Sequence, residues 1–175
     1  MKVNPYWIRG PWTGRLAILP RPRGGDWLED EIRSWQRAGI QAVVSLLTPD
    51  EAAELSLESE AVLCKAHGIT FLSFPIPDRS VPTSREATVE LVRSIEKLLT
   101  EGKHVGLHCR QGLGRSAVIS ACQLMASGIS TGEAFQRVGA ARGCDVPETS
   151  EQREWVESLA SELLATNVHT EDDIL

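Results

Sequence analysis

His104-Val105-Gly106-Leu107-His108-Cys109-Arg110-Gln111-Gly112-Leu113-Gly114-Arg115-Ser116 runs a short apolar strand into a polar turn and then into a helix. His104–His108 has strand length and apolar character. Cys109–Gly114 is polar and carries two glycines. Arg115–Ser127 is an apolar helical stretch. Working upstream, strands are expected at Ile69–Phe74, Ile40–Leu47 and Arg15–Leu19, each an apolar or β-branched run. Helices are expected between them. Asp26–Ala38 starts at a capping aspartate and stops at Gly39. Glu51–His67, in two pieces, is introduced by Thr48 and Pro49. Ser84–Thr100 puts Val89, Val92, Ile95, Leu98 and Leu99 inward. Downstream, Ser130–Arg142 and Pro147–Ala165 read as two more helices. Strands alternating with helices predict an α/β fold: a single domain over 1–175 with a mainly parallel central sheet of about four to five strands. Residues 1–14 read as a turn-rich N-terminal extension and 166–175 as an acidic C-terminal tail.

In such sheets ligands bind beyond the carboxyl ends of the strands. Asp50, Asp78 and Cys109 all follow expected strands and so point to one rim. The turn after the strand at 104–108 has the makings of an anion site. Gly112 and Gly114 allow the backbone N–H groups to turn inward, and a helix N-terminus adds its partial positive charge. The same field favours a cysteine thiolate; helix-terminal cysteines titrate at about 3.5–7.5 instead of about 8.5. A guanidinium at Arg115 grips two phosphate oxygens in a planar fork, which an ammonium does not do. Together these parts describe a nucleophile beneath a bound phosphoryl group.

The segment reads HCxxGxxRS, with five residues between Cys109 and Arg115. It closely resembles the signature loop of the cysteine-dependent protein tyrosine phosphatase superfamily, and the short chain is most similar to its dual-specificity and small prokaryotic-type members. The likeness is strongest over Ile69–Arg142 and reaches more weakly to Trp155. Rhodanese-like sulfurtransferases use a loop one residue shorter. Arsenate reductases and low-molecular-weight phosphatases carry theirs near the N-terminus. The resemblance implies a dual-specificity-phosphatase-like fold and a phosphocysteine intermediate on Cys109. The amides of Arg110, Gln111, Gly112, Leu113, Gly114 and Arg115, with the Arg115 guanidinium, would bind the phosphoryl oxygens. Ser116 would hydrogen-bond the sulfur, or is a plain first-turn helix residue, and His108 would order the loop as a core-facing histidine at the strand end.

Expulsion of an alkoxide or phenoxide calls for a proton donor opposite the nucleophile. The loop Phe74-Pro75-Ile76-Pro77-Asp78-Arg79-Ser80-Val81-Pro82 follows a strand and is stiffened by prolines. By resemblance its Pro77-Asp78 pair makes Asp78 the general acid; the alternative is a turn-capping aspartate, and Asp145 is the second candidate acid. Thr48-Pro49-Asp50-Glu51 reads as a helix start. Gln152 matches a family glutamine that supports the pocket, or is a solvated helix residue. Arg142 is a candidate buttress, or only holds a carboxylate nearby. Arg79 and Arg110 are expected at the pocket mouth as a local attractor for dianionic phosphate, or are ordinary exposed arginines.

Eighteen basic against twenty-four acidic residues give a net charge of −6, against a nucleic-acid-binding surface. No apolar run approaches the length of a membrane span, and Pro5, Arg9 and Pro11 break any signal-peptide pattern. Cys64, Cys109, Cys122 and Cys144 lack metal-ligand spacing and read as reduced thiols in a cytoplasmic protein, with no metal or other cofactor expected. Cys64, Cys122 and Cys144 are expected to be inert, although one could form a reversible disulfide with Cys109. Trp7, Trp12, Trp27, Trp35 and Trp155 read as packing residues, with Trp7 and Trp12 at a sheet edge or the pocket mouth. The expected partner is a phosphorylated protein or peptide, phosphotyrosine first and phosphoserine or phosphothreonine also allowed. An inositol-phosphate or phosphoinositide phosphatase is the alternative, disfavoured because Leu113 stands where such enzymes carry a second lysine. A non-catalytic phosphate-binding module is a third reading, against which intact Cys109, Arg115 and Asp78 argue.

Overall fold

A computed structural model describes residues 3–168. In chain order the elements are β1 (Tyr6–Ile8), β2 (Leu16–Ile18), α1 (Leu28–Arg37, after a 3-10 turn at Gly25–Trp27), β3 (Ala42–Ser45), α2 (Pro49–Glu54), α3 (Glu60–Ala66), β4 (Thr70–Ser73), α4 (Arg85–Thr100), β5 (Val105–His108), α5 (Arg115–Ala126), α6 (Thr131–Arg142), α7 (Ser150–Ser158) and α8 (Ala160–Val168). The strands form one sheet in the order β1-β2-β5-β3-β4. Every neighbouring pair is parallel except β1 and β2. This is the expected α/β fold with a mainly parallel, five-stranded sheet.

Strand alternation divides the core into two layers. Ala42, Val44 and Leu46 face a layer made with α4, α5, α6 and α8, including Val92, Ile95, Val118, Phe135 and Leu163. Val43 and Leu47 face a second layer with Leu28, Ile32 and Trp35 of α1 and Cys64 of α3. The i, i+4, i+7 spacing of Leu28, Ile32 and Trp35 explains both why α1 is a helix and which face it buries. All residues of α5 are buried, because sheet, α4, α6, α7 and α8 surround it. That burial anchors the helix whose first residue is Arg115.

The sequence reading needs adjustment in three places. Tyr6–Ile8, placed in an N-terminal extension, adds an antiparallel edge strand on β2. The single helix expected over Pro147–Ala165 is two helices, α7 and α8, meeting at Leu159. Trp27, read as packing, is 56% exposed and lies under the Arg23 guanidinium, whereas Trp35 is fully buried. The expected acidic tail overlaps the end of α8, and its residues from 169 onward lie outside the described ones. Among the described residues no helix is long and apolar enough to cross a membrane.

Candidate active site

β5 occupies the centre of the sheet, between β2 and β3. Its carboxyl end therefore opens where the chain order across the sheet breaks, the position at which parallel sheets bind ligands. Cys109 follows directly and is 3% exposed. The turn then folds back so that the Gly112 amide donates to Cys109 Sγ at 3.1 Å. Gly112 sits at φ +75°, which favours glycine, and a Cβ there would also press on Ile18 Cγ2 at 3.0 Å. From outside, Arg142 donates to the carbonyls of Gly112 (3.1 Å) and Gln111 (3.2 Å) while its guanidinium stacks on Tyr6. The buttress expected of Arg142 is formed.

Arg115, the first residue of α5, is 2% exposed, and both of its terminal guanidinium nitrogens are engaged. Glu51 takes it through both carboxylate oxygens, at 2.7 and 2.9 Å. The Ile76 carbonyl accepts at 2.8 Å and Asp78 Oδ1 at 3.0 Å. Burial acts to lower the Arg115 pKa. The hydrogen bonds to Glu51 and the charges of Cys109, Glu51 and Asp78 outweigh it and hold it above the ordinary arginine value. Burial likewise acts to raise Glu51, but the Arg115 hydrogen bonds and those from Thr48 prevail and hold its carboxyl down at about 2. Glu51 was legible only as a helix start. It does begin α2, through a capping box with Thr48, and the same carboxylate orients the buried guanidinium.

Asp78 lies over the turn as expected and shares a cavity of about 100 Å³ with Cys109, Arg110, Gln111, Gly114 and Arg115. Arg79 and Glu148 complete that cavity's wall. Larger hollows exist, notably one of about 670 Å³ lined by Trp7, Arg9 and α6. They hold neither the cysteine nor Arg115, so size does not identify the site. Asp145, the second candidate acid, is exposed and lines a separate hollow with Cys144.

The remaining residues divide. Gln152, fully buried, caps α7 through Thr149, donates to the Ser80 carbonyl at 3.1 Å, and packs where a Cβ on Gly114 would lie. It is thus a buried link between the Asp78 loop and the turn, not a solvated helix residue. His108 points away into the second core layer, where Nε2 meets Glu60 Oε1 at 2.6 Å beneath Trp35. Ser116 Oγ is buried with no hydrogen-bond partner on the protein, so a bond to the Cys109 sulfur is not made here. Arg79 and Arg110 reach the mouth, yet each is paired with a glutamate, Glu148 (3.2 Å) and Glu54 (2.8 Å). They do not form the free cationic attractor expected of them. Sequence reasoning passed over Glu148, because nothing local sets it apart from its acidic neighbours Glu151 and Glu154.

The four cysteines are free. Burial pushes the Cys64 and Cys122 thiols up to about 12, Cys64 with a smaller push from the Glu60 charge, which agrees with their reading as inert. Among the described residues no cluster of metal-ligating side chains occurs.

A family model described as "Tc-R-P: Polymorphic toxin system, DSP-PTPase phosphatase" matches residues 19–129. Cyclin-dependent kinase inhibitor 3 of Rattus norvegicus is 25% identical over 140 residues, covering 79% of this chain and 66% of that protein. The chain thus spans just under two thirds of that relative's length. Protein tyrosine phosphatase domain-containing protein 1 of Mus musculus is 35% identical over 133 residues, 70% of this chain and 17% of that protein. Among solved structures, Tk-PTP in its active form superposes with a TM-score of 0.70 at 35% identity, covering 85% of this chain and 92% of that one. Kinase associated phosphatase, with its catalytic-site cysteine replaced by serine, superposes with a TM-score of 0.83 at 20% identity, covering 94% and 98%; at that identity the likeness is one of fold.

Proposed function

The chain belongs to the DSP-PTPase phosphatase family, and on that basis we propose that it hydrolyses phosphate monoesters on protein side chains, phosphotyrosine first, through a phosphocysteine intermediate. The observation that carries this reading is the meeting of Cys109, Arg115 and Asp78 around one small cavity at the carboxyl end of β5.

In the first step Cys109 Sγ attacks phosphorus, the P–S bond forms and the ester P–O bond breaks. Asp78 gives its proton to the departing oxygen. The turn amides and the Arg115 fork stabilise the equatorial oxygens, which carry the transition-state charge. Glu51 holds that fork in place before substrate arrives, so its ordering cost falls on folding rather than on the reaction. In the second step water attacks phosphorus, the Asp78 carboxylate takes its proton, the P–S bond breaks, and phosphate leaves with the sulfur restored. Ser116, whose buried hydroxyl has no other protein partner, is assigned the hydrogen bond to the departing sulfur. Asp78 rests on Arg115 in the free chain, so a bound phosphoryl group replaces it there and releases it toward the leaving oxygen.

No residue in these steps requires a metal. Para-nitrophenyl phosphate and a phosphotyrosine peptide should both be turned over in the presence of a chelator. Vanadate should block the reaction, and Cys109→Ser and Arg115→Lys should abolish it. Retention of wild-type rate by Cys109→Ser would overturn the mechanism. The inositol-phosphate reading gains nothing from the mouth of the cavity, where both arginines are already neutralised by glutamates.

A further inference from the structure

The mouth of the cavity carries its own charge pattern. Asp78, Arg79, Glu148, Arg110 and Gln111 all line it. Arg79 stands at φ +58° with its amide donating to Asp78, and its guanidinium crosses to Glu148 Oε1 at 3.2 Å. The other oxygen of Glu148 lies where a Cβ on Gly114 would approach within 2.9 Å, so this carboxylate is packed on the turn itself. Arg110 is held by Glu54 at 2.8 Å and lies 3.5 Å from Glu51. Arg115 is itself spent on Glu51 and Asp78. Glu51, Glu54, Asp78 and Glu148 thus outnumber Arg79, Arg110 and Arg115, and the whole chain carries −6.

We propose that Glu148 and Glu54 determine specificity by setting the charge of the sequence around the phosphorylated residue: the site takes phosphopeptides with cationic neighbours and turns away those with acidic neighbours or a second phosphate. The proposal rests on the phosphatase reading above and names the substrate class of that site. A phosphoryl group that draws Arg79 or Arg110 inward releases Glu148 or Glu54 at the mouth, where a lysine or arginine of the substrate can replace the lost partner. An acidic neighbour finds no free cation there. Each rim charge, exposed by between a quarter and two thirds of its side chain, changes affinity by about fivefold at low ionic strength, and the effect is screened by salt.

The test is binding to the full chain carrying Cys109→Ser, measured calorimetrically with two phosphotyrosine peptides of equal length, one flanked by lysines and one by glutamates. The lysine-flanked peptide should bind about five- to twentyfold more tightly at low salt, with the ratio shrinking at high salt. Adding Glu54→Gln and Glu148→Gln should bring the ratio to within about twofold, whereas a general weakening of the fold would lower both affinities by one factor and keep the ratio. Arg79→Ala with Arg110→Ala should widen it. A ratio of one or below in the Cys109→Ser chain, or a ratio that survives the two glutamine substitutions, would overturn the proposal. Turnover of para-nitrophenyl phosphate by the unsubstituted chain reports separately on the chemistry, so its loss overturns the phosphatase reading while the peptide ratio still decides the role of the rim.

Discussion

Glu51 and Arg115 form a two-pronged ion pair, at 2.7 and 2.9 Å, whose carboxylate also accepts from the Thr48 amide at 3.0 Å. One side chain therefore starts a helix after β3 and fixes the phosphate-gripping guanidinium at the end of β5. The local signal, Thr48-Pro49-Asp50-Glu51, is complete without the distant one.

Glu51→Gln should be costly, because it leaves the Arg115 charge buried without its partner. Removing one member of such a pair costs about 3 kcal/mol, which in a chain of this size lowers the melting temperature by roughly 6–12 °C. The loosened guanidinium should lower kcat/KM toward para-nitrophenyl phosphate by about 10- to 100-fold. Thermal unfolding and steady-state kinetics on the same variant check both. A variant with wild-type melting and rate would show that Arg115 is held adequately by the Ile76 carbonyl and Asp78.

Acid should undo the same pair in a defined window. Glu51 is held near 2 in the folded chain against an ordinary value of 4.5. A carboxyl lowered by folding adds stability above its unfolded value and loses it as pH falls from about 4.5 toward 2. Melting curves from pH 7 down to pH 2 should show the unsubstituted chain and Glu51→Gln differing at neutral pH and converging at the acid end. Parallel curves throughout would refute the assignment.

Asp78→Asn should separate substrates by leaving group. An ester of an alkyl alcohol, which cannot leave unprotonated, should lose about 10²- to 10⁴-fold in kcat, while para-nitrophenyl phosphate should lose far less. The same substitution removes the negative partner from Arg115, so the KM for the aryl ester should not rise. Equal losses on both esters would remove Asp78 as the acid.

Strand and helix periodicity was enough to read the alternation of elements, and the turn after β5 was legible from residues within one stretch. What was not legible depended on partners far along the chain. Tyr6–Ile8 is three residues between Pro5 and Pro11, too short for alternation to show, and is a strand only because β2 offers an edge. The break between α7 and α8 carries no proline or glycine. Nothing local marks Arg79 and Arg110 as paired, because Glu148 and Glu54 lie 69 and 56 positions away. Charge pairing across loops leaves no local trace.

Gly114→Ala tests the joint between the turn and the Asp78 loop. A Cβ at Gly114 would lie 2.9 Å from both Gln152 Nε2 and Glu148 Oε2. Gln152 is buried, and its side chain is fixed by the Thr149 amide on one side and the Ser80 carbonyl on the other. The methyl group must therefore displace Gln152 or Glu148, and moving Gln152 off Ser80 frees the loop that carries Asp78. The expected result is a kcat about tenfold lower on alkyl esters, a smaller change on para-nitrophenyl phosphate, and a stability loss of about 1–3 kcal/mol. Gln152→Ala should reproduce the loop effect without the clash, and combining it with Gly114→Ala should recover much of the lost stability, because the second substitution opens the space the first one needs. If the two losses simply add, the methyl group is accommodated elsewhere and Gln152 does not couple the turn to the acid loop.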